Sequence, residues 1–219
     1  RLLVDGITSV GAIPVKMDEW GIDVLVTGSQ KALMLPPGLA FAAVNDRAWK
    51  RIDSFEPPAY YVNYKAYRKS LKDFDTPYTP NNAMLRGAAK ALQWIREQGL
   101  ETIWARTARL ARATRAAAQA MGLELFSKEP VDSVTAIVVP EGIDEATLRK
   151  RLRAEYGVHL AGGQGKLKGK IVRISHMGYV DAIDTIGAIA ALEAILKDMG
   201  HPLELGAAVA AAQRVLAGE

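Results

Sequence analysis

Two short apolar segments that each run into polar residues constrain the fold of this chain more than any other feature. Residues 2–4 are followed by Asp5, and residues 24–26 are followed by Thr-Gly-Ser-Gln and then Lys31. Both segments, and the later residues 39–44, are apolar enough to be strands buried on both faces. In an open α/β sheet, ligands bind at the carboxyl ends of the strands. The pattern therefore predicts an α/β fold in which Asp5 and Lys31 face one ligand.

A lysine and an aspartate in this arrangement suit one kind of cofactor. Desolvation lowers the pKa of a buried lysine, and its neutral amine can attack a carbonyl to form a Schiff base. A carboxylate can keep a pyridine nitrogen protonated, so that the ring absorbs the electrons of a carbanion. The residues alone leave two simpler interpretations open: Lys31 snorkels out of a loop, and Asp5 caps the next helix.

Three ordered motifs resemble those of a known family. Asp5 and Lys31 have the spacing of its cofactor segment, which continues here as S-Q-K-A-L-M-L-P-P-G at residues 29–38. Y-T-P at residues 78–80 resembles its interdomain T-P motif, and R-I-S-H-M-G at residues 173–178 resembles its R-I-x-x-M-G segment. Over nearly its whole length the chain thus resembles the class V aminotransferases, and within them the alanine–glyoxylate and serine–glyoxylate branch.

This resemblance implies the type I fold of enzymes that use pyridoxal 5′-phosphate (PLP). It implies the C-terminal part of the large α/β domain followed by a small α+β domain, without the N-terminal half of the family. We therefore expect a partial chain. Residues 1–80 are expected in the large PLP-binding domain, 81–122 in connecting helices and 123–219 in the small C-terminal domain.

The resemblance assigns the chemistry to the two strand ends. Lys31 is implied as the catalytic residue: it holds PLP as a Schiff base until an amino acid displaces it, and its freed amine then moves a proton. Asp5 keeps the ring nitrogen protonated, and Ile7, two residues later, points the same way and packs under the ring. The implied reaction transfers an amino group from alanine or serine to a 2-oxo acid such as glyoxylate.

Three further residues are implied in binding. Gln30 and Thr79 help to hold the cofactor phosphate, and the loop around Thr79 reaches a neighbouring subunit, which implies a homodimer with shared active sites. Thr76 stands where the family carries a tyrosine, and this departure leaves a second phosphate contact open. Arg173 lies between two aliphatic residues of a strand and so points to the opposite face, where its guanidinium can grip a substrate carboxylate. From the pattern alone, an exposed arginine on an edge strand fits equally well.

Local patterns predict the other elements. Helices are expected over residues 83–98, 100–121, 144–156, 180–199 and 203–216, and strands over 134–139, 158–161 and 170–174. Residues 51–80 lack strong periodicity and are predicted as a functional or interface loop. The glycine-rich residues 162–169 match neither the P-loop nor the dinucleotide fingerprint, and we interpret them as a flexible turn. A solvated stripe is expected for four arginines of the second helix: Arg106, Arg109, Arg112 and Arg115.

Composition argues against several classes of site. The 219 residues contain no cysteine, which excludes a disulfide scaffold and thiolate catalysis and fits a reducing, cytoplasmic compartment. A net charge of +4 with one local lysine run at residues 166–170 does not predict nucleic-acid binding. We expect no membrane span, no signal peptide and no metal site, because no apolar stretch is long enough and the three histidines lack ligand-like spacing.

Two other functions remain open from the sequence. Another PLP reaction on the same fold, such as cysteine desulfuration, usually has a histidine before the lysine, where this chain has Gln30, and it needs a cysteine that carries the persulfide. Alternatively, the chain is a non-catalytic interaction or structural subunit that retains the motifs. The colour of a bound cofactor distinguishes a competent site from such a subunit.

Overall fold

The computed structural model describes residues 1–219 and forms two compact units, each with its own three-stranded sheet. The first unit comprises residues 1–10 and 14–99, and the second comprises residues 11–13 and 100–219. The boundary at Gly99 and Leu100 lies inside the segment that the sequence assigned to connecting helices. None of the helices has the length and apolar character that crossing a membrane requires.

The sheet of the first unit is built around its central strand, β2 (Val24–Gly28). β1 (Leu3–Asp5) pairs with β2 in parallel, and β3 (Ala40–Val44) pairs with it antiparallel. The three strands occupy the segments that the sequence predicted. The parallel pairing of β1 and β2 brings their carboxyl ends to the same edge of the sheet.

A buried ion pair fixes the start of β2. The Asp23 carboxylate, which is fully buried, accepts hydrogen bonds from Arg47 Nε at 2.6 Å and Nη2 at 2.8 Å, and from the backbone N–H of Leu2 at 2.7 Å. The hydrogen bonds from Arg47 hold the pKa of Asp23 well below its usual value, against the opposing effect of burial. The pair ties the chain before β1 to the helix that follows β3.

Two strands of this sheet are less buried than the sequence predicted. In β1, Leu3 is 70% exposed, and in β3, Ala40, Ala42 and Ala43 are exposed. The prediction of burial on both faces was therefore wrong for these strands, because the helices of the unit make few contacts with them. An apolar strand is buried on both faces only where other elements cover it.

The first unit also contains three helices, α1 (Asp46–Asp53), α2 (Tyr64–Leu71) and α3 (Asn82–Gln98). α3 is capped by Asn81 and ends at Gly99, as predicted. α2 lies in the segment predicted as a loop, and that prediction was wrong for these residues. The helix has only 8 residues and is held by local contacts: the Asn63 side chain accepts from the Lys65 N–H at 3.0 Å, and Tyr64 packs edge-on against Trp49.

The second unit is an α+β arrangement around an antiparallel sheet in the order β4–β6–β5. Helix α4 packs against α7 through alanines with no exposed surface, since small side chains let the two backbones approach closely. The elements of this unit are α4 (Leu100–Ala120), β4 (Val134–Val138), α5 (Glu145–Tyr156), β5 (Ala161–Gly162), β6 (Ile171–Ser175), α6 (Ala182–Asp198) and α7 (Ala207–Ala217).

Two predictions for this unit need correction. Of the strand predicted over residues 158–161 only Ala161 pairs with β6, together with Gly162, the first residue of the glycine-rich segment, which also contains a short 3₁₀ turn, Gly165–Leu167. The arginine stripe is not uniformly solvated. Arg109 and Arg112 are exposed, but Arg115 is largely buried, with Nη1 at 3.0 Å from the Asp132 carboxylate and Nη2 donating to a carbonyl.

Candidate active site

The carboxyl ends of β1 and β2 bring Asp5 and the segment that leads to Lys31 to one edge of the sheet. Asp5 is the register partner of Val26, and the N–H of the next residue, Gly6, donates to the Val26 carbonyl at 2.8 Å. Gly6 leaves no room for a side chain, because a Cβ there would lie 2.8 Å from both Leu25 Cδ1 and Val10 Cγ2. The close contact of the two strands therefore continues one residue past Asp5.

The Asp5 carboxylate is exposed and only partly used. One oxygen, Oδ1, accepts a hydrogen bond from the Ile7 N–H at 2.9 Å, and the other has no partner within the chain. This contact fixes the direction of the carboxylate and forms a tight turn. The sequence left open that Asp5 caps a helix, but no helix lies between β1 and β2; the contact closes a turn instead and leaves one oxygen available for a ligand. Ile7 is half-buried beside it.

Lys31 lies in the turn that follows β2. Its side chain is exposed and makes no hydrogen bond or ion pair within the chain. Of the two interpretations that the sequence left open, burial and a position on a loop, the structure of this chain shows the loop, because β2 ends before Lys31 and the chain turns outward. Gln30 is also exposed and folds back over Gly28, where a Cβ would lie 2.8 Å from Gln30 Oε1.

Ser29 holds this turn in place, a role that was not predicted from the sequence. Ser29 is fully buried; its Oγ donates to the Pro36 carbonyl at 2.7 Å and accepts from the Leu39 N–H at 3.2 Å. Its backbone N–H donates to the Leu39 carbonyl at 3.0 Å, and its carbonyl accepts from the Leu35 N–H at 3.0 Å. The loop that carries Lys31 is thereby closed by one residue. A serine directly after a strand and glycine is a turn signal that could have identified it.

Thr79 is exposed on a separate loop of the first unit, and aromatic contacts order that loop. The Tyr78 ring stacks on Tyr61 with centroids 4.8 Å apart, and its hydroxyl donates to the Tyr60 carbonyl at 2.7 Å. Thr76, where the resembled family has a tyrosine, donates through Oγ1 to the Tyr78 carbonyl at 2.6 Å. The Thr76 hydroxyl thus takes part in the structure of the loop itself.

Arg173 belongs to the second unit, in β6. Val172 and Ile174 point into the core and are buried, whereas Arg173 lies on the opposite face and is half-buried, as the alternation predicted. Its Nε donates to the Gly162 carbonyl at 3.0 Å. The structure thus brings together Asp5, Ile7, Gln30 and Lys31 at one sheet edge, with Thr79 on a separate loop and Arg173 in the other unit.

Comparisons with known proteins give consistent matches. Residues 1–184 match the model of the family described as aminotransferase class-V. A soluble hydrogenase small subunit from Synechococcus sp. (strain PCC 6716) is 42% identical over 98% of this chain and 56% of its own length. A serine–glyoxylate aminotransferase from Arabidopsis thaliana is 41% identical over 98% of this chain and 55% of its own length.

The same likeness extends to solved structures. The crystal structure of pyridoxamine–pyruvate aminotransferase from Mesorhizobium loti superposes with a TM-score of 0.94 at 34% identity, over 99% of this chain and 57% of that one. The chain therefore spans between 55% and 57% of the length of these three proteins.

Proposed function

Because this chain belongs to the class-V aminotransferase family, we propose that it acts in a PLP-dependent aminotransferase that moves an amino group from alanine or serine to a 2-oxo acid such as glyoxylate. The observation that carries the proposal is the parallel pairing of β1 and β2, which sets the Asp5 carboxylate and the Lys31 turn at one sheet edge. The choice of substrates is supported by the Arabidopsis relative, which is named a serine–glyoxylate aminotransferase. Since the chain spans little more than half of that protein, the activity is proposed for the whole protein.

The residues at the sheet edge fit PLP. The exposed Lys31 side chain offers a primary amine without a competing partner, and Asp5 offers a carboxylate oxygen that no group of the chain occupies. Bound PLP supplies an aldehyde that an amine can attack and a ring that withdraws electrons when its nitrogen is protonated. Ile7 would contribute an apolar contact to the ring, and the exposed Gln30 and Thr79 would offer hydrogen-bond donors to the phosphate.

Each residue then has one task. Lys31 Nζ would hold the cofactor through a covalent bond to its aldehyde carbon, and its amine, once freed by a substrate amine, would serve as general base and then as general acid for the proton of the substrate's α-carbon. The Asp5 carboxylate would keep the ring nitrogen protonated. Arg173 binds the substrate's α-carboxylate with a bidentate pair of hydrogen bonds, which orients the α-carbon.

The experiment combines an absorbance spectrum with chemical trapping. The protein is incubated with PLP, reduced with borohydride and mapped by peptide mass; we expect the cofactor to be fixed on Lys31. Lys31→Ala should abolish turnover and trapping at this site, while Lys166→Ala, which removes another exposed lysine, should change neither. Asp5→Asn keeps an oxygen for the Ile7 N–H but no negative charge, and should lower turnover by roughly 100-fold or more. Full activity in Lys31→Ala would refute the proposal.

A homodimer and a cytoplasmic location complete the proposal. The dimer is supported by Thr79, whose hydroxyl is exposed on an ordered loop and is thus available to a second subunit, and the location by the absence of cysteine. Sedimentation of the PLP-loaded protein should give a dimer, and Thr79→Val should weaken PLP binding in it. A monomer with undiminished PLP affinity would contradict shared sites.

A second candidate function, a non-catalytic subunit, is favoured by one observation. The Synechococcus relative is named a soluble hydrogenase small subunit, although the name describes no mechanism. The same spectrum separates the two candidates. A folded whole protein that stays colourless with PLP, and is not labelled by borohydride, would support the subunit function over the transferase.

A further inference from the structure

We propose that Gly162 is a positioning residue for Arg173, a proposal that rests on the role in substrate binding given to Arg173 above. Gly162 lies in β5 opposite Val172, one residue from the register partner of Arg173. Its carbonyl accepts the hydrogen bond from Arg173 Nε at 3.0 Å. The backbone that carries this carbonyl is itself held to β6, because the Gly163 N–H donates to the Ile171 carbonyl at 3.1 Å.

The bond to Nε determines how Arg173 can meet a ligand. A guanidinium is planar, so one fixed Nε–H bond together with the aliphatic stem fixes the plane of the whole group. Arg173 takes part in none of the ion pairs of the chain. The Nη nitrogens are therefore not occupied by a carboxylate of the chain and are oriented for one from outside. The carboxylate of an amino acid or a 2-oxo acid has the matching geometry.

The surroundings of Gly162 explain why this position carries glycine. Glu145 and Arg149 lie one turn apart in α5 and form an ion pair, and Glu145 is only 5% exposed. A Cβ at position 162 would overlap with Glu145 Oε1 and would lie 3.1 Å from Arg149 Nε and 3.2 Å from its Cζ. A side chain here must displace the ion pair or move β5 together with the carbonyl that Arg173 uses.

The consequence is that the glycine-rich segment begins with the residue that orients Arg173. The turn at residues 165–167 is a surface feature, but Gly162 links α5 to Arg173 through a steric contact on one side and a hydrogen bond on the other. The absence of a side chain at 162 thus bears on the affinity for the substrate's carboxylate rather than on the proton transfer at Lys31.

The test is a double-mutant cycle in the whole, PLP-loaded protein with glyoxylate as the probe. Gly162→Ala should raise KM for glyoxylate roughly tenfold with kcat changed by less than about twofold, because the carboxylate contact is misplaced and the chemistry is not. Glu145→Ala removes the atom that the new Cβ would strike, and releases Arg149, whose side chain is 38% exposed and free to move. The KM of the double variant should therefore lie within about twofold of the KM of Glu145→Ala alone.

A second readout reports on Arg173 without turnover. In protein labelled with ¹⁵N-arginine, the Nε–Hε resonance of Arg173 is identified by its loss in Arg173→Lys; it should shift and exchange faster with water in Gly162→Ala and return in the double variant. Gly187→Ala is the matched control, because a Cβ at this exposed position in α6 meets no atom within 4 Å. It should leave both the resonance and KM unchanged.

The outcomes separate this inference from the proposed function. If Gly162→Ala leaves the resonance and KM as in the wild type, or if removal of Glu145 restores neither, the positioning role is wrong. If the resonance behaves as expected but Arg173→Lys has wild-type KM, Gly162 does position Arg173, and it is the substrate-binding role proposed for Arg173 that fails.

Discussion

At the scale of single residues, Ser29 determines where Lys31 lies, although its own side chain is fully buried. Its hydroxyl joins the Pro36 carbonyl and the Leu39 N–H, both on the far side of the loop. Ser29→Ala leaves two partly buried backbone groups without this partner, and we expect the free energy of unfolding to fall by about 1–3 kcal/mol. The loop should also lose order, so that borohydride fixes less PLP on Lys31 at a limiting PLP concentration.

Ser54 provides the matched control for Ser29. Its hydroxyl also donates to a backbone carbonyl, that of Arg51 at 2.8 Å, but in an exposed position where water can replace it. Ser54→Ala should therefore change the free energy of unfolding, measured by urea denaturation, by less than about 0.5 kcal/mol. Equal PLP trapping on Lys31 in wild type and Ser29→Ala would show that the loop does not depend on this hydroxyl.

The residues of the candidate site illustrate what the sequence can and cannot predict at this scale. Asp5 and Lys31 were placed at neighbouring strand ends correctly, because strand ends follow from local apolar runs and their polar termination. The sequence left the burial of Lys31 open, and Ser29 was missed. Both depend on contacts between residues distant in sequence, such as Ser29 with Leu39. The roles assigned to the site residues remain predictions.

At the scale of elements, helix α7 depends on a side chain from α6. The residue before α7 is Gly206, which has no side chain to cap the helix. Instead the buried Glu193 accepts hydrogen bonds from the N–H groups of Gly206 at 2.9 Å and Ala208 at 2.8 Å. A carboxylate at a helix N-terminus both satisfies free N–H groups and interacts favourably with the helix dipole. Glu193→Ala should therefore lower the free energy of unfolding by about 2–4 kcal/mol.

Two further variants separate the charge from the hydrogen bonds in this cap. Glu193→Gln retains one acceptor oxygen and should lie between wild type and Glu193→Ala in urea denaturation. Glu204→Ala removes an exposed carboxylate from the same connection and should have little effect. Equal stability of Glu193→Ala and wild type would mean that α7 is held by packing against α4 alone.

The elements were predictable where their boundaries have local signals. Helices α3 and α5 begin after asparagine or aspartate caps and end at Gly99 and Gly157, close to the predicted limits. α2 was missed because its 8 residues are too few for the helical spacing of Tyr64, Tyr67 and Leu71 to stand out, and the helix is held by its cap and by Trp49. β5 is shorter than predicted because only Ala161–Gly162 finds a partner in β6.

At the scale of the whole molecule, the family and the type I fold were predicted correctly from three motifs in the right order. The order of the motifs is read directly from the sequence and does not depend on how the chain packs. The exposure of β1 and β3 was not predicted, because the burial of a strand depends on the elements that cover it and not on its own residues. The motifs thus identify the fold better than they predict its surface.

The two units should respond to acid in different pH ranges. In the second unit, His176 is buried, with Nε2 2.9 Å from Thr135 Oγ1, and burial, assisted by the nearby Arg115 charge, lowers its pKa from 6.5 to about 4. The unfolded chain takes up this proton below about pH 6.5, whereas the folded chain does so only below about pH 4. The free energy of unfolding should therefore fall between these values, by an amount on the order of 3 kcal/mol.

In the first unit, the hydrogen bonds from Arg47 lower the pKa of Asp23. The free energy of unfolding should therefore again fall as the pH is lowered, but in a lower pH range. The unfolded carboxyl takes up a proton near pH 3.9 while the folded one stays ionised, and the stability of this pair is lost only below about that pH.

Urea denaturation across pH 7 to 3 tests both ranges. His176→Gln, which can keep the bond to Thr135, should flatten the dependence between pH 6.5 and 4, and Asp23→Asn should flatten it below pH 4. His159→Gln controls for loss of an exposed imidazole. If the free energy of unfolding of the wild type is constant from pH 6.5 to 4, His176 is not buried in the folded chain.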